Sequence, residues 1–552
     1  MTKIAVIGTG YVGLTTGTCF AHMGHEVVCA DIDEDKIAIL SSGKVPFVED
    51  GLDRLVEECL ENGNLRFVVG AKNAVPDCEV AFLCVPTPQR ADESADLSYI
   101  EAATREIATL LPPGAIVVNK STVPVGSTRV VEIALQRPDV TVVSNPEFLR
   151  EGSAVGDFLN PDRIVIGSED QAAAIKVSSL YLGISAPIVV TDPASAETIK
   201  YAANAFLATK LSFVNAIAAI CEGVGADISD VMRGLGYDNR IGPEFLRPGP
   251  GWGGSCLPKD TRAMVRIAKD AGYDFKLLRG VIEINEDQFD RVVDKLEAAA
   301  IKVSSLYLGI SAPIVVTDPA SAETIKYAAN AFLATKLSFV NAIAAICEGV
   351  GADVSDVMRG LGYDNRIGPE FLRPGPGWGG SCLPKDTRAM VRIAKDAGYD
   401  FKLLRGVIEI NEDQFDRVVD KLEAAAGGSL QGRNVAVWGL TFKAGTDDLR
   451  DSPSLTVASG LVGRGAVIRA YDPTVALDWD GGSYGIEIVN DPLIACDGAD
   501  VLAVLTEWDE FRSVSPRAVG ERMRKRAVVD ARNCLDRALW QRHGFDYRGI
   551  GR

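Results

Sequence analysis

The sequence predicts an α/β protein of two doubly wound parallel-sheet domains joined by a long-helix central domain, with the central segment duplicated. Three observations predict it. Near each end of the chain, short apolar runs such as KIAVI and NVAVW alternate with helix-length segments, the pattern of a sheet wrapped by helices. Between them lies SAETIKYAANAFLATKLSFVNAIAAICEG, too long and too apolar for a surface helix, so part of it should pack between domains or subunits. Finally, residues 175–300 recur as residues 301–426 with one difference, Ile228 against Val354. The expected domains are residues 1–192, 193–300 (the first repeat unit spanning 175–300), 301–426 and 427–552.

Composition narrows the function classes. A net charge of −18 lacks the basic footprint that nucleic acid demands, but small anionic ligands need only a few local cations and N–H groups. No basic stretch followed by an apolar core opens the chain, and no uninterrupted apolar run approaches membrane-spanning length. Eleven cysteines without a CxxC pair read as reduced thiols of a cytoplasmic protein, with neither metal nor membrane expected. The three histidines, His22, His25 and His543, fall outside every motif below, so the chemistry should rest on Cys, Lys, Asp, Glu or a cofactor.

The first domain opens with KIAVIGTGYVGL. An apolar strand meets Gly8, Gly10 and Gly13, with Tyr11 and Val12 beginning a helix, and HEVVCAD forms a second strand ending at Asp31. The glycines allow a tight turn and close approach of a pyrophosphate to a helix N-terminus, while the acid suits ribose hydroxyls. This Rossmann-like fingerprint favours NAD. The strands VAFLCVPTP, AIVVNKSTVPVGST and VTVVSNPEFLREG then run into loops expected to line the cleft. Thr87 and Thr122 could donate to the cofactor and Glu147 and Glu151 could face a substrate; taken alone, each fits a loop cap equally well. The strand APIVV, at Ala186–Val190 and again at Ala312–Val316, offers that sheet two closing strands where one is needed.

The repeat is too long and too exact for a solenoid unit and reads as a recent tandem duplication or as an error in assembling the gene sequence. In its first copy, Lys200 and Asn204 share a helix face, which fits either a working pair or an exposed Lys beside a buried Asn. The loop GWGGSCLPKD places Cys256 just before a helix that starts near Pro258, with Asp260 as a candidate cap, and ends at Gly272. A helix N-terminus and Lys259 both favour a thiolate. The alternative is a buried inert thiol, the reading given to Cys29, Cys84, Cys221 and Cys347. A nucleophilic cysteine beside NAD suggests aldehyde capture as a thiohemiacetal, oxidation to a thioester and hydrolysis; an alcohol substrate would give up two hydrides. The second copy carries Lys326, Asn330, Cys382 and Asp386, but the chain has one cofactor fingerprint, so one copy is expected to work, with Cys256 favoured by its continuity with the first domain.

Together GTGYVGL, STVPVGST, NPEFLREG, ETIKYAANAFLATK, FLRPGPGWGGSCLPKD and GLTFKAGTDDLRDSP resemble the UDP-glucose/GDP-mannose 6-dehydrogenase family, in family order and over the whole chain except one repeat unit. The resemblance implies oxidation of the C6 alcohol of a nucleotide sugar to a carboxylate, using two NAD. It makes Cys256 the nucleophile, gives Lys200 and Asn204 the C6 oxygen, and has Asp260, Thr122 and Glu147 order water or assist proton transfer. Around NAD it adds Lys36, Thr87, Thr122, Glu151, Lys259 and Arg450. Around the sugar nucleotide it places Glu147, Phe148, Leu149, Arg150, Glu151, Phe245, Leu246, Arg247, Pro248, Gly249 and Gly253. Arg240 would reach a neighbouring subunit's site, which implies a homodimer or higher oligomer. Lys443 and Arg532 of the C-terminal domain, which lacks GxGxxG, would contact the UDP end. The duplicate set is Arg366, Phe371, Arg373, Gly375, Gly379 and Lys385. FLRPGPG looks most like the UDP-glucose branch, the alternatives being GDP-mannose or UDP-N-acetylmannosamine, or an NAD-binding protein impaired by the duplication.

Overall fold

Short β-branched runs set the first sheet: β1 (Lys3–Ile7), β2 (Glu26–Asp31), β3 (Leu65–Val69), β4 (Val80–Leu83), β5 (Ile116–Asn119), β6 (Thr141–Ser144), β7 (Ile164–Gly167) and β8 (Ile188–Thr191). This computed structural model describes residues 1–88, 90, 95–254, 256–292, 317–479 and 484–552. The strands lie in the order β3-β2-β1-β4-β5-β6-β7-β8. All neighbours are parallel except β6 and β7, so the last two strands run opposite to the rest. Helices cover both faces, which is why β1, β4 and β5 are apolar at nearly every position. Phe20, Phe82, Phe158 and Tyr181 fill one side of the sheet, and Ile100, Ile107, Val131 and Leu135 the other. The order reverses between β2-β1 and β4, the place where open α/β sheets hold ligands. The first APIVV closes the sheet as β8; the second, Ala312–Val316, lies outside the described residues.

A second sheet follows near the C-terminus: β9 (Asn434–Trp438), β10 (Val467–Tyr471), β11 (Ile486–Ile488), β12 (Val501–Val504), β13 (Ala527–Asp530) and β14 (Asp546–Gly549). Its order, β11-β10-β9-β12-β13-β14, is again that of a doubly wound domain, and every pair is parallel. Trp438 stacks on Phe511 in its core.

By contacts the chain forms two units. The first holds Met1–Ala205, Gly254–Ala271 and Gly349–Ile367; the second holds Phe206–Gly253, Gly272–Glu348 and Gly368–Arg552. Both copies of the long helix form, Pro193–Val224 and Pro319–Val350, each opening on proline and followed by a glycine in the left-handed region, Gly225 and Gly351. Their length and apolarity would suit a membrane, but they are core helices, mostly buried inside the protein.

The two repeat copies pack on each other reciprocally. In the second unit Phe206 meets Phe339 edge-on and Phe213 meets Phe332, although Phe332 is the repeat equivalent of Phe206 and Phe339 that of Phe213. There, too, Asp227 N–H donates to Ser321 Oγ; in the first unit its counterpart Asp353 N–H donates to Ser195 Oγ. A Cβ on Gly234 would strike Ile325, and one on Gly360 would strike Ile199. Such exchange of equivalent contacts is the signature of a twofold, self-complementary interface.

Candidate active site

At the reversal point of the first sheet, Gly8 turns with φ +96°, and a Cβ there would lie 2.7 Å from the Cys84 carbonyl oxygen. A Cβ on Gly13 would lie 1.9 Å from Gly8 O, so the helix Tyr11–His22 can start against the turn only through glycine. Gly10 is different: nothing stands within 4 Å of its Cβ position, and no side chain caps the helix there. The uncapped N–H groups beside open space fit a dinucleotide pyrophosphate. At the end of β2, Asp31 accepts from Thr9 N–H, Thr9 Oγ and Lys36 Nζ at 2.9, 2.6 and 3.0 Å. Burial opposes its ionisation, but the Thr9 and Lys36 hydrogen bonds prevail and hold its pKa at about 2. It is an anionic acceptor suited to ribose hydroxyls.

The chemistry-bearing residues gather elsewhere in the same unit. Lys200 Nζ lies 2.8 Å from Glu147 Oε1, and both side chains are buried. Glu147 also accepts from Leu149 N–H at 2.7 Å and from Thr122 Oγ at 3.4 Å, while Thr87 Oγ donates to Thr122 O. One helical turn beyond Lys200, Asn204 Nδ2 donates to Asp260 Oδ2 at 2.6 Å, and Lys259 Nζ contacts Asp260 Oδ1 at 2.6 Å. Cys256 is exposed at the N-cap of the helix Leu257–Asp270, as the placement of Pro258 predicts, whereas Cys29, Cys84, Cys221 and Cys347 are buried. Burial would discharge Lys200, but Glu147, Asp260 and the Cys256 sulfur together push its pKa up. Burial works against the Glu147 carboxylate as well, and Lys200 holds its pKa down. A cation and an amide donor on one helix face thus stand in a unit with an exposed cysteine, a set able to stabilise negative charge on a carbonyl-derived oxygen.

Other predicted residues separate by unit. Phe245, with φ +61°, opens the first copy's FLRPG loop in the second unit, where Gly249 N–H donates to Asn215 Oδ1 and Trp252 Nε1 to Ser212 Oγ. Leu246 is buried in this loop, which continues through Arg247 and Pro248 to Gly253. Lys443, Arg450 and Arg532 belong to the second unit with the second copy's loop. There Gly375 faces the Arg532 guanidinium, Gly379 could not carry a Cβ against Asp451 O, and Gly380 packs on Phe442. The duplicate of the lysine differs sharply from the original: Lys326 is 63 % exposed and meets Asp386 at 3.7 Å, against 5 % for Lys200.

Three residues that sequence reading passed over also shape the first unit. Glu49 accepts from Tyr11 Oη, Gly152 N–H and Ala154 N–H, which ties the NPEFLREG loop to the glycine turn; it stands in an irregular stretch, PFVEDG, that carries no motif. Lys120 is buried, donates to Asn145 Oδ1 and has its pKa pushed down to about 8 by that burial. Arg163 stacks 3.8 Å over the Phe148 ring and pairs with Asp364 of the second copy at 3.0 Å. Lys120, Glu147, Phe148, Arg163 and Arg366 border one cavity of about 80 Å³. Arg240, expected to reach another subunit's site, pairs with Asp238 and lies 5.1 Å from the Phe371 ring in the second unit.

Comparison with known proteins matches three domains of the UDP-glucose/GDP-mannose dehydrogenase family. The NAD binding domain matches residues 2–185, the central domain matches twice, at 194–287 and 320–413, and the UDP binding domain matches 436–537. A UDP-glucose 6-dehydrogenase of Rhizobium meliloti (strain 1021) is 37 % identical, the alignment covering 100 % of this chain and 99 % of that protein. UDP-glucose 6-dehydrogenase TuaD of Bacillus subtilis (strain 168) is 36 % identical, covering 100 % and 94 %. The solved structure of a GDP-mannose dehydrogenase from Pseudomonas aeruginosa, in a ternary complex, shares the fold with a TM-score of 0.63 at 23 % identity, covering 99 % of both chains.

Proposed function

Since the chain belongs to the UDP-glucose/GDP-mannose dehydrogenase family and is an NAD-dependent nucleotide-sugar dehydrogenase, we propose that it oxidises UDP-glucose to UDP-glucuronate through Cys256. The observation that carries this reading is the buried Lys200–Glu147 pair, one helical turn from Asn204–Asp260, in the unit that holds both the exposed Cys256 and the cofactor turn. The UDP-glucose preference rests on the relatives named UDP-glucose 6-dehydrogenase, which align with the whole chain.

Bound NAD supplies a hydride acceptor, needed once for each of two oxidations. Gly8, Gly10 and Gly13 would admit its pyrophosphate, and Asp31 with Lys36 would hold its ribose, with Thr87, Glu151 and Lys259 around them. In the first oxidation the C6 alcohol gives its hydroxyl proton to water ordered by Asp260 and its C6 hydride to that acceptor, which brings the carbon to the aldehyde level. The Cys256 sulfur then adds to that carbon, and the carbonyl oxygen becomes an oxyanion held by Lys200 Nζ and Asn204 Nδ2. Loss of a second hydride leaves a thioester. Water, placed by Asp260 and by Thr122 with Glu147, attacks the acyl carbon; the C–S bond breaks, the sulfur leaves as thiolate and a carboxylate is released. Cys256 is preferred to Cys382 because Lys200 is buried against Glu147 while Lys326 is largely solvent-exposed.

The test is stoichiometry with trapping. UDP-glucose should yield two NADH per sugar and, in acid-quenched samples, a sugar-nucleotide adduct on the Cys256 peptide. Equal or faster turnover of GDP-mannose or UDP-N-acetylmannosamine would displace UDP-glucose as the substrate, and full oxidation by Cys256→Ser would sink the thioester route.

A further inference from the structure

We propose that the second repeat copy serves the first as a second subunit held within the same chain. It covers the first copy's self-complementary face and delivers Arg366 to the cavity beside Glu147 and Phe148.

The reciprocal contacts are the first ground. Phe206–Phe339 with Phe213–Phe332, Asp227–Ser321 with Asp353–Ser195, and Gly234–Ile325 with Gly360–Ile199 are three pairs of contacts that exchange under the repeat. A face that satisfies itself in this way normally joins two separate copies of one protein. Here both copies lie on one polypeptide, so the face is already occupied.

The second ground is an asymmetry in what each copy meets. The second copy's segment Gly349–Ile367 belongs to the first unit, where Asp364 is fully buried and pairs with Arg163, itself 1 % exposed. Asn365 donates to Asp162, and Thr191 donates to Asp356. Arg366, held by Asp364 at 2.7 Å and only 17 % exposed, borders the cavity with Lys120, Glu147, Phe148 and Arg163. The first copy's equivalents, Asp238 and Arg240, pair with each other in the second unit and are 23 % and 44 % exposed. One chain has one NAD-binding sheet, and the second copy supplies the groups that dock on it. Arg366 is therefore a positioning residue, a fixed cation for an anionic substrate. This last part rests on the dehydrogenase reading; the internal interface does not.

The experiment uses the full chain. Sedimentation equilibrium should give the mass of one chain, and the melting temperature should stay constant over a wide range of protein concentration. A midpoint that climbs with concentration overturns the proposal, because an interface between chains is strengthened by mass action. Asp364→Ala should lower the melting temperature by about 5 °C or more, since it strands a buried guanidinium, while Asp238→Ala should leave it unchanged. Equal shifts for the two variants count against the proposal, and if Asp364→Ala does not fold, the concentration series on the unaltered chain still decides. Arg366→Ala should raise KM for UDP-glucose about tenfold with little change in kcat, and Arg366→Lys should recover part of that loss; an unchanged KM removes Arg366 from the site. If the unaltered chain turns over no nucleotide sugar, the dehydrogenase reading fails while the melting results still test the internal interface.

Discussion

Lys200 and Glu147 form an ion pair 2.8 Å long, with 5 % and 6 % of their side chains exposed. Removing one partner leaves the other charged and buried, at a cost of about 3–5 kcal/mol. Lys200→Met should therefore lower the melting temperature and, by removing the cation proposed to hold the oxyanion, reduce kcat by about 10²–10³-fold. The double variant Lys200→Met/Glu147→Leu separates the two effects. Calorimetry should find most of the stability restored, while NADH production stays low.

Cys256 and Cys382 open identical helices in different electrostatic settings. Cys256→Ser should abolish NADH formation from UDP-glucose. Cys382→Ser should keep at least half of the parent rate, since Lys326 beside Asp386 is solvated and has Asp386, not Glu147, as its ion partner. Initial-rate assays on the two variants check this, and equal partial losses would mean that both copies work.

Asp31 is anionic at every pH where the enzyme would be assayed. Asp31→Ala should weaken NAD binding by about 10–100-fold, read by titration of cofactor fluorescence, because the charged acceptor proposed for the ribose is lost. Its folded-state pKa lies below the ordinary value of 3.8. The stability it contributes is therefore present above pH 3.8 and lost as pH falls toward about 2, a window in which Asp31→Ala should flatten the acid limb of the unfolding curve.

Lys336 lies at the packing of the two long helices, 5.7 Å from the Phe206 ring and 1 % exposed. Burial, with Lys210 adding repulsion, pushes its pKa down from 10.5 to about 7. Between those values the unfolded chain binds a proton that the folded chain does not, so stability falls as pH drops from 10.5 to about 7 and levels off below. Lys336→Met should make the melting temperature less dependent on pH across that interval.

The glycine turn, Asp31 and the helix after Cys256 were legible because each depends on local geometry: a backbone that only glycine can adopt, a strand end, a proline in a first turn. APIVV as the closing strand was legible too. The antiparallel β7 was not, since RIVIG is a short apolar run whose direction is set by which neighbour it finds. Glu49 was invisible for a related reason: its three hydrogen bonds come from residues 38 to 105 positions away. Hardest of all was the division of labour between the copies. Lys200 and Lys326 have identical sequence around them, and only the presence of Glu147 beside one of them makes the difference.

The reciprocal packing of the repeat has an evolutionary corollary. In an assembly of identical chains, every mutation at the twofold seam strikes both sides at once, so improvements must suit two settings simultaneously. A seam encoded twice in one gene escapes that constraint, and each side can drift alone. Position 228 and its twin differ in sequence and setting: Ile228 is half-buried, and the smaller Val354 is wholly enclosed. Further change should accumulate in the same lopsided way, with one half keeping its catalytic lettering and the other free to become pure scaffold.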